Sequence, residues 1–241
     1  AKIVCTLGPA SESVADITAL AEAGMSVARL NASHGSPEHR RTMIERIRAV
    51  DERVDTPVAS MLDMPGPEVR TAPVDDPIQL TEGSDVRFVV GDEATPEEVG
   101  LSKSITSARP GDRVLLDDGR IETTVERIEG EVVYANVENG GELGARKGVN
   151  VPGVELDLPT ITENDRQEIE VAAEMEPDFV AASFVRDGDA IYEINEALKQ
   201  RGVDIPIIAK IERAGAVENL DSIIEATYGV MVARGDLGVE C

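Results

Sequence analysis

Two kinds of apolar spacing follow one another along this chain, and their order leaves few folds open. From Ile3 to Leu62, short strand-like runs alternate with stripes of helical period. Ile3–Leu7, Ser26–Leu30 and Val58–Leu62 read as strands. Between them, Ser13 is placed to cap a helix, with Asp16 three residues on, that carries Val14, Ile17, Leu20 and Ala21 and stops at Gly24. Ser36-Pro37 opens a second helix with Met43, Ile44, Ile47 and Val50 on one face. From Gly66 to Gly153 the helical stripe disappears. Short β-rich runs replace it: Val86–Val90, Arg113–Leu116, Ile121–Ile128 and Glu131–Val137. Turn signals part them at Gly83, Pro110-Gly111, Asp118-Gly119, Glu129-Gly130 and Gly140-Gly141. After Pro159 the alternation resumes. Thr162 can cap a helix bearing Ile169, Ala172 and Ala173; Phe179–Val185 reads as a strand; Ile191, Ile194 and Leu198 form a helix face ending at Gly202. Ile207–Ile211 is a strand, Val217–Ile224 a helix stripe and Gly229–Ala233 a strand.

Strands that alternate with helices build parallel sheets, and six such units lie outside the interruption. All six are apolar in the manner of strands covered on both faces. The expected class is therefore α/β: a (β/α)₈ TIM-type barrel, truncated after about six strands, with an all-β lid domain inserted after the third strand. The predicted boundaries are 1–65 and 154–241 for the incomplete barrel and 66–153 for the lid. A barrel short of two strands bares two parallel edges, so the 241-residue chain alone is expected to aggregate or stay partly molten, and to be inactive.

Charge narrows the partners. The chain holds 47 acidic and 23 basic residues, a net of −24. Such a field repels nucleic acid and anionic membranes, which excludes both as expected partners. The acids are interleaved with periodic Val, Ile and Leu rather than massed, which speaks for a folded protein with a solvated acidic surface, not for disorder. Only five of the basic residues are Lys. Acid excess with scarce Lys suggests a salt-rich, halophilic cytosol, where screening blunts self-repulsion. No run of eighteen apolar residues offers a membrane span, and Ala1–Gly8 reads as a strand with no basic segment before it, so no signal peptide is predicted. With only Cys5 and Cys241, neither a disulfide framework nor a zinc site is expected, and a reducing cytoplasm fits best. Cys5 reads as a small core residue.

In an α/β barrel, chemistry belongs at the C-terminal ends of the strands. Here the second strand ends in Arg29, Asn31, Ser33 and His34, and the third in Asp63. The fourth ends in Ser183 and Arg186, the fifth in Lys210 and Glu212, the sixth in Arg234 and Asp236. Residues two apart on a strand share a face, so Arg29 with Asn31, and Lys210 with Glu212, can point one way. Polar strand ends are common because loops are polar, but five together, which between them mix acids with cations, ask for more. Glu212 and Asp236 could hold Mg²⁺, which takes one or two carboxylates and leaves room for substrate oxygens. Lys210 would offset negative charge developing at the same centre. Salt bridging is the plainer reading of this trio. His34 is expected to position its neighbours, and His39 to lie on the surface. Asp117-Asp118-Gly119 reads as a hairpin turn before a metal site.

At these residues the chain resembles the pyruvate kinase family. The matching stretches are KIVCTLGPAS (Lys2–Ser11), GMSVARLNASHG (Gly24–Gly35), LDMPGPEVRT (Leu62–Thr71), KGVNVPG (Lys147–Gly153), ASFVR (Ala182–Arg186), IIAKIER (Ile207–Arg213) and MVARGDLGVE (Met231–Glu240), in the family's order. The resemblance implies phosphoryl transfer between phosphoenolpyruvate and ADP, giving pyruvate and ATP. It implies Mg²⁺ or Mn²⁺ on Glu212 and Asp236, and K⁺ on Asn31, Ser33, Asp63 and the Met64 carbonyl. Lys210 would stabilise the transferring group and the enolate, and Arg29 would grip the phosphoryl group. The backbone of Ala233, Arg234 and Gly235 would receive the substrate carboxylate. Arg70 and Lys147 would reach the nucleotide phosphates. A full-length homotetramer is implied, as is a role in glycolysis. Glu68 goes in this family with a need for K⁺. Met64-Pro65 stand where the family usually has Thr-Lys, Ala32 where Phe is common, and Arg213-Ala214-Gly215-Ala216 where an acid precedes Gly. Two rivals stay open: a metal-dependent lyase or aldolase acting on a pyruvate enolate, and a non-catalytic segment that binds metal or ligand.

Overall fold

Strand β1 (Ile3–Thr6) leads to α1 (Val14–Glu22), where Ser13 Oγ accepts the Asp16 N–H at 3.1 Å and begins the first turn. Strand β2 (Met25–Asn31) leads to α2 (Pro37–Asp51), with Ser36 as cap and Pro37 in the first turn, where its missing N–H is not needed. Met43, Ile44, Ile47 and Val50 are buried along one face of α2, as the helical spacing predicts. Strand β3 (Ala59–Asp63) completes this stretch. The computed structural model describes residues 1–240, so Cys241 lies outside the described residues.

Nine short strands and no helix follow among the described residues. They are β4 (Val69–Arg70), β5 (Ile78–Leu80), β6 (Asp85–Val90), β7 (Glu98–Leu101), β8 (Arg113–Leu116), β9 (Ile121–Glu129), β10 (Val132–Asn139), β11 (Gly141–Leu143) and β12 (Gly148–Asn150). Five of them escape sequence reading because strands of two to four residues are too short to show alternation. Seven form one sheet in the order β4-β12-β8-β9-β10-β6-β7, while β11 pairs with β5. Its core is made by inward residues such as Val86, Phe88, Val114, Leu116, Val125 and Val133.

The chain continues through α3 (Glu163–Met175), β13 (Phe179–Ala182), α4 (Gly188–Lys199), β14 (Ile207–Ile211), α5 (Ala214–Glu218), α6 (Leu220–Ala226), β15 (Gly229–Val232) and α7 (Arg234–Glu240). Thr162 and Asp165 form a reciprocal cap at the start of α3. Strands β1, β2, β3, β13, β14 and β15 lie in chain order in one sheet, and the pairs β1–β2, β2–β3, β3–β13 and β13–β14 are parallel. This is the α/β arrangement of a (β/α) barrel, with an all-β segment after its third strand. The chain divides into two compact units. One holds 1–67, 160–211 and 219–231; the other holds 68–159, 212–218 and the residues from Val232 onward. No described helix is long and apolar enough to cross a membrane.

Four expectations need correction. The strand read over Phe179–Val185 stops at Ala182, because Phe184 takes a left-handed backbone (φ 54°) that no strand can contain. The helix stripe over Val217–Ile224 is two short helices broken at Asn219, and of its apolar residues Ile223 is buried while Val217 and Ile224 are exposed. Nor are all six strands covered on both faces. Ile3 and Val4 of β1 and Val230 and Val232 of β15 are exposed, and Cys5 is a half-buried free thiol rather than a core residue, since both strands stand at the ends of the sheet order.

Candidate active site

The first unit gathers four functional groups from four neighbouring strands. Arg29 lies near the end of β2, Asp63 ends β3, Ser183 follows β13 and Lys210 lies near the end of β14. Parallel pairing sets the strand ends level: Asn31 pairs with Asp63, Asp63 with Ala181, and Ala182 with Ala209. Asp63 is almost wholly buried and its carboxylate is the hub. Its Oδ2 accepts from Arg29 Nε at 2.6 Å and pairs with the same guanidinium's terminal nitrogen. Its Oδ1 accepts from the Ser183 hydroxyl at 3.2 Å and lies 3.5 Å from Lys210 Nζ. Lys210 Nζ donates to Ser183 Oγ at 2.7 Å, and the other arm of Arg29 donates to Thr6 Oγ1 at 2.7 Å. Two cations are thus aligned on one buried anion. Hydrogen bonds between ionised groups, such as the two that Arg29 makes to Oδ2, are shorter and stronger than neutral ones.

The loop after β2 carries Asn31 and Ser33. Asn31 Oδ1 accepts the Ser33 N–H at 3.0 Å, a local turn that sets both side chains. Beneath it, Arg40 of α2 donates to the His34 carbonyl at 2.8 Å and forms a buried two-pronged pair with Glu168 of α3. Burial pushes the Glu168 carboxyl up, against the pull of Arg40. One turn earlier on α3, Asp165 accepts the Gly66 N–H at 2.9 Å and the Thr162 N–H at 2.8 Å. Helix α3 therefore holds the loops after β2 and β3 through two acids spaced one turn apart. Met64 donates its N–H to the Ala181 carbonyl at 2.9 Å, which fixes the peptide beside it. Between the loop after β1 and the start of α2 opens a cavity of about 540 Å³, lined by Gly8, Pro9, Glu12, Asn31, His34 and His39 among others. His39 itself is exposed, 3.4 Å from Glu12.

In the second unit, Arg70 pairs with Glu68 at 2.8 Å and donates to the Arg146 carbonyl at 2.9 Å. Lys147 Nζ lies 2.8 Å from Asp117, a buried acid that Arg120 also approaches at 3.5 Å. Asp117 and Asp118 both have left-handed backbones in the turn that joins β8 and β9. Sequence reading takes that pair for a turn alone and misses its contact with Lys147. The signal it lacks is the pairing of β12 with β8, which sets Val149 opposite Leu116 and so brings Lys147 near Asp117. Ser183 is likewise visible in the sequence only as one polar strand end among several. Glu212, directly after β14, is almost wholly buried; Asp236 is half-buried in α7, and Arg234 and Gly235 are exposed. Among the described residues no three His, Cys, Asp or Glu side chains gather as a metal site.

The pyruvate kinase barrel-domain family matches the chain over residues 1–241. Pyruvate kinases of Staphylococcus aureus strains MRSA252 and USA300 are each 44% identical to it over 245 residues, covering 99% of this chain and 42% of the relative. The chain thus spans under half the length of the curated relatives it matches.

Proposed function

Because the chain belongs to the pyruvate kinase family, we propose that it contributes the strand-end machinery for moving a phosphoryl group between phosphoenolpyruvate and ADP. What supports this reading most is the row Arg29–Asp63–Ser183–Lys210, which holds two cations fixed at the ends of adjacent strands. Phosphoryl transfer asks a protein for positioning and charge neutralisation more than for covalent chemistry. Arg29, turned by Asp63, would hold the transferring phosphoryl group. Lys210 would stabilise that group and the enolate left behind. The backbone of Ala233, Arg234 and Gly235 would receive the substrate carboxylate, and Arg70 and Lys147 the nucleotide phosphates. In the domain arrangement proposed, 1–65 with 154–241 is the barrel part and 66–153 a lid that excludes water from the enolate.

The donor sets suit the ions the family resemblance implies. Asn31, Ser33, Asp63 and the Met64 carbonyl offer oxygens only, one of them charged, which fits a weakly hydrated monovalent ion such as K⁺. Glu212 and Asp236 offer two carboxylates, the number a Mg²⁺ or Mn²⁺ shared with substrate oxygens needs. Such a divalent ion would supply positive charge to the substrate's oxygens when bound. The acid excess and scarce Lys support a salt-rich cytoplasm as the setting for this chemistry.

The test is an assay of the full-length protein carrying these residues, with phosphoenolpyruvate and ADP in molar KCl. Lys210→Met is expected to abolish ATP formation while circular dichroism shows the fold intact. Full turnover by that variant would overturn the assignment.

A further inference from the structure

Asp63 ties Arg29 down directly, but it reaches Lys210 only at 3.5 Å, beyond a good hydrogen bond. The serine between them closes that gap. Ser183 is buried; its Oγ lies 2.7 Å from Lys210 Nζ and 3.2 Å from Asp63 Oδ1. An ammonium has no lone pair and a carboxylate no proton to give. The hydroxyl must therefore accept from Lys210 and donate to Asp63, so its orientation is set by valence as well as by packing.

The backbone around Ser183 is held as tightly. Phe184 adopts a left-handed conformation, φ 54°, which is costly for a bulky residue and turns the chain sharply away after Ser183. From the other side Gly66, also left-handed at φ 69°, lies so close that a Cβ there would stand 2.6 Å from the Ser183 carbonyl oxygen. Gly66 is in turn fixed by Asp165 at 2.9 Å. One strained position, Phe184, and one that only glycine can fill, Gly66, converge on this serine, and strain of this kind persists where its geometry is used.

We propose that Ser183 is a positioning residue that acts through Lys210: its hydroxyl ties the ammonium to the Asp63–Arg29 pair, so that both cations share one fixed reference. A lysine stem is flexible, and the serine is one of the contacts that hold its ammonium in place. The inference rests on the phosphoryl-transfer reading for its catalytic consequence, though not for the tether itself.

The experiment uses the full-length protein and the variants Ser183→Ala and Ser183→Thr. The accessibility of the Lys210 amine is read by trinitrobenzenesulfonate labelling and mass spectrometry, with exposed Lys199 as internal reference. In Ser183→Ala, labelling of Lys210 relative to Lys199 is expected to rise several-fold. In the same variant kcat should fall about ten- to a hundred-fold, the size expected of a misplaced catalytic group, with KM little changed. Ser183→Thr keeps the hydroxyl and should return both readings towards the parent, which a packing defect would not. Unchanged Lys210 labelling in Ser183→Ala, or a threonine variant that behaves like the alanine one, overturns the proposal. A parent enzyme that forms no pyruvate from phosphoenolpyruvate sinks the reaction reading instead, and the labelling still decides the tether.

Discussion

In the parallel sheet and its helices, Asp63, Lys210, Arg40 and Glu168 are buried among ionic partners, whereas in the inserted sheet Arg87–Glu98, Arg113–Glu122 and Arg127–Glu129 stand largely in solvent. Lys147–Asp117 falls between, with a half-buried cation on a buried acid. The difference separates two uses of charge. Exposed pairs on a chain of net −24 relieve local repulsion and stabilise little. Buried pairs cost desolvation that attraction rarely returns in full, so their gain lies in fixing where loops and cations stand. Arg40 and Glu168 hold the His34 carbonyl, and Asp63 holds Arg29.

The sharpest way to break this contrast is Arg40→Ala. It leaves Glu168 buried without its partner and should cost about 3–5 kcal/mol in urea unfolding at neutral pH. Joint replacement by Arg40→Met and Glu168→Leu should recover most of that loss; a double variant as unstable as the single one would show that burial of charge is not its source. Next comes Gly66→Ala. A left-handed backbone at a non-glycine residue costs on the order of 1–3 kcal/mol, and the added Cβ would press on the Ser183 carbonyl. A neutral result there would contradict the packing of the turn against Ser183. In the inserted sheet, Arg113→Ala should cost under about 1 kcal/mol, and less in molar KCl. A larger loss would erase the contrast between the two sheets.

The smallest effect concerns pH. Burial outweighs Arg40 and holds the Glu168 carboxyl above its ordinary value. The folded protein then keeps that proton to higher pH than the unfolded chain does. The resulting stabilisation is complete below the usual carboxylate range and is lost as pH rises through the raised value. Glu168→Gln should remove that part of the slope when unfolding is compared at pH 5 and pH 8.

The alternation of spacings made the α/β class, the order of strands and helices, and the helix-free stretch legible, because periodicity is a property of neighbouring residues. Arg29, Asp63 and Lys210 were legible as polar strand ends for the same reason. What periodicity cannot carry is pairing between distant residues. The Ser183 bridge depends on β13 lying between β3 and β14, and Asp117 meets Lys147 only through the β8–β12 pairing. The early end of β13 was hidden because Ser-Phe-Val looks like strand; only the turn at Phe184 shows otherwise. Apolar sequence likewise hid the exposure of β1 and β15, since burial is set by what lies alongside a strand rather than by its own residues.

The hydrogen bond from Gly66 to Asp165 joins residues a short way outside the two ends of the inserted segment Glu68–Pro159. The host fold thus brings the two junctions together by its own contacts, whatever lies between them. Closing a longer or shorter loop across fixed ends costs only about 0.6 kcal/mol per doubling of its length. The insertion is therefore open to exchange as a cassette. Natural variants should be able to lengthen, shorten or replace it while the strand ends of the host keep their spacing, so insertion and host can diverge at different speeds.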